Sequence, residues 1–156
     1  LTGETKILRA DIVYDMGKSL NPAVDIGQSE GAFMQGVGYV LSENIVRQPD
    51  GPEAGRLNTD NTWTYKPPAI STVPLEFNVS LFPRPPHIGR DPYALYSSKE
   101  VGEPPLVLAN SVFFAVKSAV RASRRERGLS PGFHMAAPAT VQTVNAACNL
   151  AWPANS

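Results

Sequence analysis

The spacing of apolar residues along this chain predicts two main helices. The first follows Asn21-Pro22, and its apolar positions recur at roughly helical intervals: Phe33, Met34, Val37, Val40 and Leu41. The second runs from Leu106 to about Arg125 and repeats apolar residues at i, i+3, i+4 and i+7: Ala109, Val112, Phe113, Val116, Ala119 and Val120. An apolar stripe at this spacing is the face that a helix turns toward a core. Glu126-Arg127-Gly128-Leu129 is expected to end the second helix.

Shorter stretches with alternating or β-branched residues predict strands. They lie at Lys6 to Met16, at Trp63-Thr64-Tyr65-Lys66 and at Leu75 to Phe82, with the period of two that a half-buried strand requires. Thr140 is expected to cap a last short helix that buries Val144 and Ala147. The predicted fold class is α+β, with two main helices and short strands.

Two stretches rich in turn residues predict surface loops. Residues 48–61 contain Pro49-Asp50-Gly51-Pro52, which is turn chemistry. Residues 82–92 are dense in proline, which favours an extended, exposed backbone.

Charge and cysteine content exclude several classes of partner. Fourteen basic residues balance fourteen acidic ones, so neither nucleic acid nor an acidic membrane surface is indicated. No apolar run is expected to be long enough to span a bilayer. Cys148 is the only cysteine, which suits a reducing compartment and a cytoplasmic protein. His87 and His134 lack metal-ligand spacing, so no metal is expected to be held by protein side chains.

Glu103 has the most informative local context in the chain. It lies between Gly102 and Pro104-Pro105, directly before the second apolar helix. Proline is well tolerated in a first helical turn, and a helix N-terminus favours negative charge. Glu103 is therefore expected at the mouth of a helix, where it either complements the helix dipole or meets a ligand.

The start of the first helix contains a second candidate. Asp25 is predicted as the N-cap, and Gln28 lies three positions later, in a capping-box arrangement. The same helix carries an unusual number of glycines: Gly27, Gly31, Gly36 and Gly38. Because glycine disfavours helix, these positions indicate close approach of other backbone or of a ligand. Gln28 is thus either a capping residue or a ligand contact.

Several separated motifs resemble the molybdenum hydroxylases, the xanthine dehydrogenases (oxidases) and aldehyde oxidases. The closest match is Lys99-Glu100-Val101-Gly102-Glu103-Pro104-Pro105-Leu106, and Asp25-Ile26-Gly27-Gln28, Thr64-Tyr65-Lys66-Pro67 and Pro138-Ala139-Thr140 follow the same family. The resemblance covers roughly residues 7 to 148, and several motifs in the right order are more specific than any one of them.

The resemblance implies roles for both candidates. It assigns Glu103 as the catalytic base that activates the molybdenum-bound hydroxyl group, and Gln28 as a contact of the pterin part of the molybdenum cofactor. It also implies that residues 1–156 are the C-terminal portion of a molybdenum-cofactor-binding domain in a longer polypeptide. FAD and [2Fe-2S] clusters are expected only in other parts of that polypeptide, since one cysteine cannot hold a cluster. The family's enzymes are usually homodimers.

The implied reaction is oxidative hydroxylation of an aldehyde or of an N-heterocycle such as a purine. The sequence does not decide between these substrate classes, and the segment is not expected to be active alone. The alternative function is a non-catalytic interaction module, in which the proline-rich loop 82–92 binds an aromatic-lined groove.

Overall fold

A computed structural model describes residues 2–83 and 89–150 of the chain. It contains a strand β1 (Arg9–Tyr14), a long helix α1 (Pro22–Leu41) and a second strand β2 (Glu76–Leu81). Three further helices follow: α2 (Pro105–Leu108), α3 (Asn110–Glu126) and α4 (Val141–Ala147). Short 3₁₀ turns cover Ile70–Thr72 and Leu95–Ser97. The α+β class, with two main helices and short strands, is confirmed.

The two strands form a parallel pair connected through α1. Arg9 lies opposite Glu76 and Tyr14 opposite Leu81. Parallel strands need a crossover between them, and a helix is the usual one. Each strand alternates exposed and shielded positions, as expected for a sheet with one face on a core. The crossover places both the end of β1 and the start of α1 at one edge of the molecule.

The core lies between the sheet, α1 and α3. Phe33 of α1 packs against Phe77 of β2, with ring centroids 5.5 Å apart. The buried stripe predicted for α1 is confirmed except for Met34, which is half-buried. On α3 the fully buried positions are Val112, Val116 and Val120, whereas Ala119 is exposed. Helix α3 therefore buries fewer of its apolar residues than the sequence predicted.

Helix α1 begins earlier than its acidic residue suggested. Asn21 is the N-cap, and its side chain accepts hydrogen bonds from the backbone N–H groups of Ala23 and Val24 at 3.2 and 3.4 Å. Pro22 occupies the first helical position, which its fixed φ suits. The prediction of Asp25 as the N-cap is therefore wrong. Asp25 is buried inside the first turns and accepts a hydrogen bond from the Ser19 hydroxyl at 2.5 Å.

The strand predicted at Trp63 to Lys66 is also wrong. The Asn61 side chain accepts a hydrogen bond from the Trp63 N–H at 2.9 Å, and its carbonyl accepts from the N–H of Tyr65 at 2.8 Å. An asparagine side chain that captures a backbone N–H two residues on makes a turn in place of a strand. β-propensity at positions 63–66 is overridden by this local hydrogen bonding.

The last helix follows the sequence prediction. Thr140 caps α4 by accepting a hydrogen bond from the Thr143 N–H at 3.2 Å, and Val144 and Ala147 are buried. Arg124, near the end of α3, donates to the carbonyl oxygens of Ser130 and Ala147 at 2.7 and 2.8 Å. This arginine therefore ties α3 to α4 and to the loop between them.

The loop predicted at 48–61 lies on the surface. Gln48 N–H donates to the Arg56 carbonyl at 2.8 Å, and Gly51 and Gly55 have φ of +79° and +86°, which glycine adopts without steric cost. Of the loop predicted at 82–92, residues 84–88 lie outside the described residues. The interaction-module alternative depends on them.

One segment corrects the expectation about membrane spans. Pro105–Glu126, which comprises α2 and α3, is long and apolar enough to cross a membrane by length and composition only. The expectation that no run is long enough is therefore wrong on these two criteria. The same segment places Val112, Val116 and Val120 in the core against α1 and the sheet, and a core helix meets the same criteria.

Helices α1 and α2 are in close backbone contact. A Cβ built on Gly36 would collide with the Leu106 carbonyl oxygen and lie 2.7 Å from the Ala109 Cβ. Only glycine allows the two backbones to approach this closely. The glycine-rich pattern predicted such an approach, and Gly36 is where backbone meets backbone.

We predict that Gly36→Ala lowers the free energy of unfolding by about 1–3 kcal/mol, because the added methyl group must push two helices apart. Denaturant unfolding of the purified protein measures the change. The matched control is Gly132→Ala, where an added Cβ would meet only the Ser130 hydroxyl, at 3.6 Å. Equal stability of both variants would show that α1 and α2 are not in close contact.

Candidate active site

The chain leaves β1 through a turn that another part of the chain covers. Gly17, in this turn, has φ +71°, and a Cβ there would collide with the Ser97 carbonyl oxygen. Lys18 N–H donates to that carbonyl at 2.8 Å, and Lys99 N–H donates to the Met16 carbonyl at 2.7 Å. The segment 97–100, which we term the strap, is therefore bound by its backbone to the end of β1.

The strap enters this position through a strained backbone. Tyr96 and Ser97 both have positive φ, at +50° and +65°, a region that residues other than glycine avoid. Ser97 is buried, and its hydroxyl accepts a hydrogen bond from the Asp91 N–H at 2.9 Å. Such conformations persist only where the surroundings fix them, and they cluster at functional sites.

Two side-chain contacts add to the backbone bonds of the strap. The Tyr14 hydroxyl, at the end of β1, donates to the Glu100 carbonyl at 2.6 Å. The Lys99 ammonium pairs with the Asp15 carboxylate at 2.6 Å. Both side chains of this pair are about half exposed. No local sequence pattern indicates a role for Tyr14 or Asp15.

Burial raises the pKa of Tyr14, and the negative charges of Glu100 and Asp15 act in the same direction. A raised pKa keeps the phenol protonated, so its hydroxyl remains a hydrogen-bond donor. Its contribution to stability is complete below the ordinary tyrosine pKa near 10 and is lost as pH rises through the raised folded value. The contact between Tyr14 and the strap is therefore maintained throughout the neutral range.

The structure brings the residue directly before Glu103 against Gln28, although 75 positions separate Gln28 from Glu103. Gly102 directly precedes Glu103, and a Cβ built on Gly102 would lie 3.4 Å from the Gln28 Oε1. Glu103 is exposed and lies two residues before the start of α2. The N–H of Leu106, in α2, donates a hydrogen bond to the Glu103 carbonyl at 3.0 Å. Its predicted position at the mouth of a helix is confirmed.

The surface of α1 beside Gln28 is bare. Built Cβ atoms at Gly27 and Gly31 would meet nothing within 4 Å. Gln28 itself is exposed, and its amide offers both a donor and an acceptor to a partner with a polar edge. A flat heterocycle such as a pterin fits this arrangement, because two glycines leave room against the helix and the amide can pair with its edge.

No cluster of three or more histidine, cysteine, aspartate or glutamate residues suited to a metal ion occurs within residues 2–83 and 89–150. The two acidic residues near the candidate site, Glu100 and Glu103, do not make such a cluster. The described side chains around Gln28 and Glu103 therefore offer a metal ion no ligand set of this kind.

A large cleft in the described structure lies elsewhere. It has a volume of about 970 Å³ between β1 and α3, and Ile7, Val13, Ala115 and Val120 are among the residues that line it. Neither Gln28 nor Glu103 lines this cleft. The cleft and the candidate site are therefore different parts of the surface.

Comparison with known proteins shows relatives along almost the whole chain. Residues 1–74 match the family described as molybdopterin cofactor-binding domain. The chain is 49% identical over 154 residues to probable aldehyde oxidase 3 of Oryza sativa subsp. japonica, covering 96% of this chain and 11% of that protein. It is 48% identical over 151 residues to xanthine dehydrogenase/oxidase of Mus musculus, covering 95% and 11%.

A solved structure supports the fold. The copper- and molybdenum-containing carbon monoxide dehydrogenase superimposes with a TM-score of 0.72 over 95% of this chain and 17% of its own, at 21% identity. At that identity the likeness concerns the fold alone. The chain thus spans about a tenth of the length of the curated relatives it matches.

We predict that Tyr14 ionises above the ordinary tyrosine pKa of about 10, because the buried phenol and its acidic neighbours oppose the negative charge. The difference between the absorbance titrations of the wild type and Tyr14→Phe isolates this one group. Tyr93→Phe is the control for the effect of removing a tyrosine hydroxyl, since Tyr93 is 98% exposed. A midpoint for Tyr14 at or below about 10 would contradict its shielded contact with the strap.

Proposed function

We propose that this chain, which belongs to the molybdenum hydroxylase family, forms the part of the molybdenum-cofactor-binding domain that carries the catalytic base. In this proposal residues 1–156 are the C-terminal portion of that domain in a longer polypeptide. The 46–49% identity to aldehyde oxidases and a xanthine dehydrogenase supports an oxidoreductase of this type.

One observation carries the proposal for the site. The Gln28 amide oxygen lies against Gly102, the residue before the exposed Glu103, and next to the bare glycine surface of α1. A cofactor resting on that surface could contact Gln28 and present its reactive end to Glu103. The residue types suit these tasks, since an amide recognises a heterocycle edge and a carboxylate can accept a proton.

Each residue has a distinct role in the proposed mechanism. The bound cofactor would supply the redox chemistry and the oxygen transferred to substrate. Gln28 holds and orients the pterin. Glu103 accepts the proton lost when the oxygen attacks the substrate, which is a task that a carboxylate can perform. The close backbone contact at Gly36 fixes the position of Gln28 relative to Glu103.

The proposed substrate is an aldehyde or an N-heterocycle such as a purine. Relatives named as aldehyde oxidases and as a xanthine dehydrogenase support both classes. In this proposal the complete enzyme also contains FAD, [2Fe-2S] clusters and a second copy of the polypeptide. Its proposed location is the cytoplasm. The segment supplies one side of the site, so it acts together with the rest of the polypeptide.

We predict that Glu103→Gln lowers kcat by roughly 10²- to 10⁴-fold, the range typical of removing a general base. Glutamine keeps the shape of the side chain and removes its basicity, so molybdenum and pterin content should stay at the wild-type level. Steady-state kinetics on the full-length protein, with benzaldehyde and with xanthine, measure the effect. Glu126→Gln, at the far end of α3, is the matched control. Turnover retained by Glu103→Gln would exclude Glu103 as the base.

We predict that Gln28→Ala weakens retention of the cofactor by roughly two- to tenfold, as expected for the loss of one hydrogen-bonding side chain. The measurement is the pterin and molybdenum content after dialysis of the full-length protein. Gln142→Ala serves as the control, because Gln142 is an exposed glutamine on α4. Unchanged content in Gln28→Ala would place the cofactor away from this helix.

A further inference from the structure

Glu103 lies on a short bridge between two anchored parts of the chain. Downstream, α2 is packed against Gly36 of α1 and begins with the buried Pro105. Upstream, the strap ends at Glu100, whose carbonyl accepts the Tyr14 hydrogen bond. Only residues 101–104 separate the two anchors, so the position of Glu103 depends on both.

The two ends of the bridge differ in stiffness. Pro104 and Pro105 restrict the backbone after Glu103, because the proline ring fixes φ. Gly102, before Glu103, leaves the backbone free to rotate. The upstream end can therefore hold Glu103 in place only if the chain is fixed close to Gly102, and the carbonyl of Glu100 is the nearest fixed point shown.

The contacts that fix this point differ in strength. Tyr14 is half-buried as a residue, and its hydroxyl donates to the Glu100 carbonyl, at the upstream end of the bridge, at 2.6 Å. The Lys99–Asp15 pair is more than half exposed on both side chains, and exposed ion pairs contribute little. Tyr14 is therefore the stronger side-chain contact between the end of β1 and the bridge.

We propose that Tyr14 is a positioning residue for Glu103, acting through its hydrogen bond to the Glu100 carbonyl. This inference rests on the proposed role of Glu103 as the base. Tyr14 touches neither substrate nor cofactor; it holds the strap so that the carboxylate stays beside Gln28. Loss of the hydroxyl lets the bridge rotate about Gly102, and small displacements of a catalytic group reduce turnover steeply.

The test is Tyr14→Phe in the full-length, cofactor-loaded protein, assayed with benzaldehyde and with xanthine. The expected result is a fall in kcat of about tenfold, with KM and molybdenum content within twofold of the wild type. A second readout is hydrogen exchange at the amides of Lys18 and Lys99, which bind the strap to the end of β1 and are expected to exchange at least about fivefold faster. Should Tyr14→Phe not fold, Tyr14→Met removes the hydroxyl in the same way.

Two control variants distinguish positioning from general destabilisation. Tyr39→Phe removes a hydroxyl from a mostly exposed tyrosine of α1, and both readouts should match the wild type. Lys99→Met removes the exposed ion pair, and kcat should stay within about twofold. An equal loss of kcat in Lys99→Met and Tyr14→Phe would overturn the assignment to Tyr14.

The proposed function and this inference can fail separately. Turnover that persists in Glu103→Gln would exclude Glu103 as the base. Hydrogen exchange in Tyr14→Phe would still show whether Tyr14 holds the bridge. A nearly inactive Glu103→Gln with wild-type kcat and exchange in Tyr14→Phe leaves the base in place and overturns the positioning role. Faster exchange together with a lower kcat supports both.

Discussion

The close packing of α1 on α2 at Gly36 is the constraint on which the candidate site depends. Because the residue has no side chain, the backbone of α2 lies directly on α1, with the Ala109 Cβ 2.7 Å from where a Cβ would be. This contact sets the first half of α1 beside the entry to α2. Gln28 and Glu103 come together as a consequence, without a direct bond between them.

The second constraint is the strap, which fixes the same region from the opposite side. Backbone bonds from Lys18 and Lys99, together with the Tyr14 hydroxyl, hold it to the end of β1. The positive φ of Tyr96 and Ser97 shows that this path is imposed by its surroundings. The packing of α1 on α2 and the strap thus restrict the chain on either side of Gly102, the flexible position next to the proposed base.

Much of the fold follows from local sequence, and the errors have physical causes. Periodicity found α1, α3 and β2, and proline after Glu103 placed that residue before a helix. Asp25 was mistaken for the cap because an aspartate suits that role locally, whereas the helix begins one turn earlier, where Asn21 before Pro22 accepts from the N–H groups of Ala23 and Val24. The turn at Asn61 shows a side-chain hydrogen bond overriding β-propensity. Tyr14 could not be found from sequence, since its partner lies 86 positions away.

The proximity of Gln28 and Glu103 came from the family resemblance and from packing, not from any local pattern. The most direct test of the account is an experimental structure of the full-length protein with its cofactor bound. We expect the pterin on the glycine surface of α1, within hydrogen-bonding distance of the Gln28 amide, and the Glu103 carboxylate facing the reactive end of the cofactor. A cofactor bound elsewhere, or a Glu103 carboxylate turned away from it, would contradict the central claim.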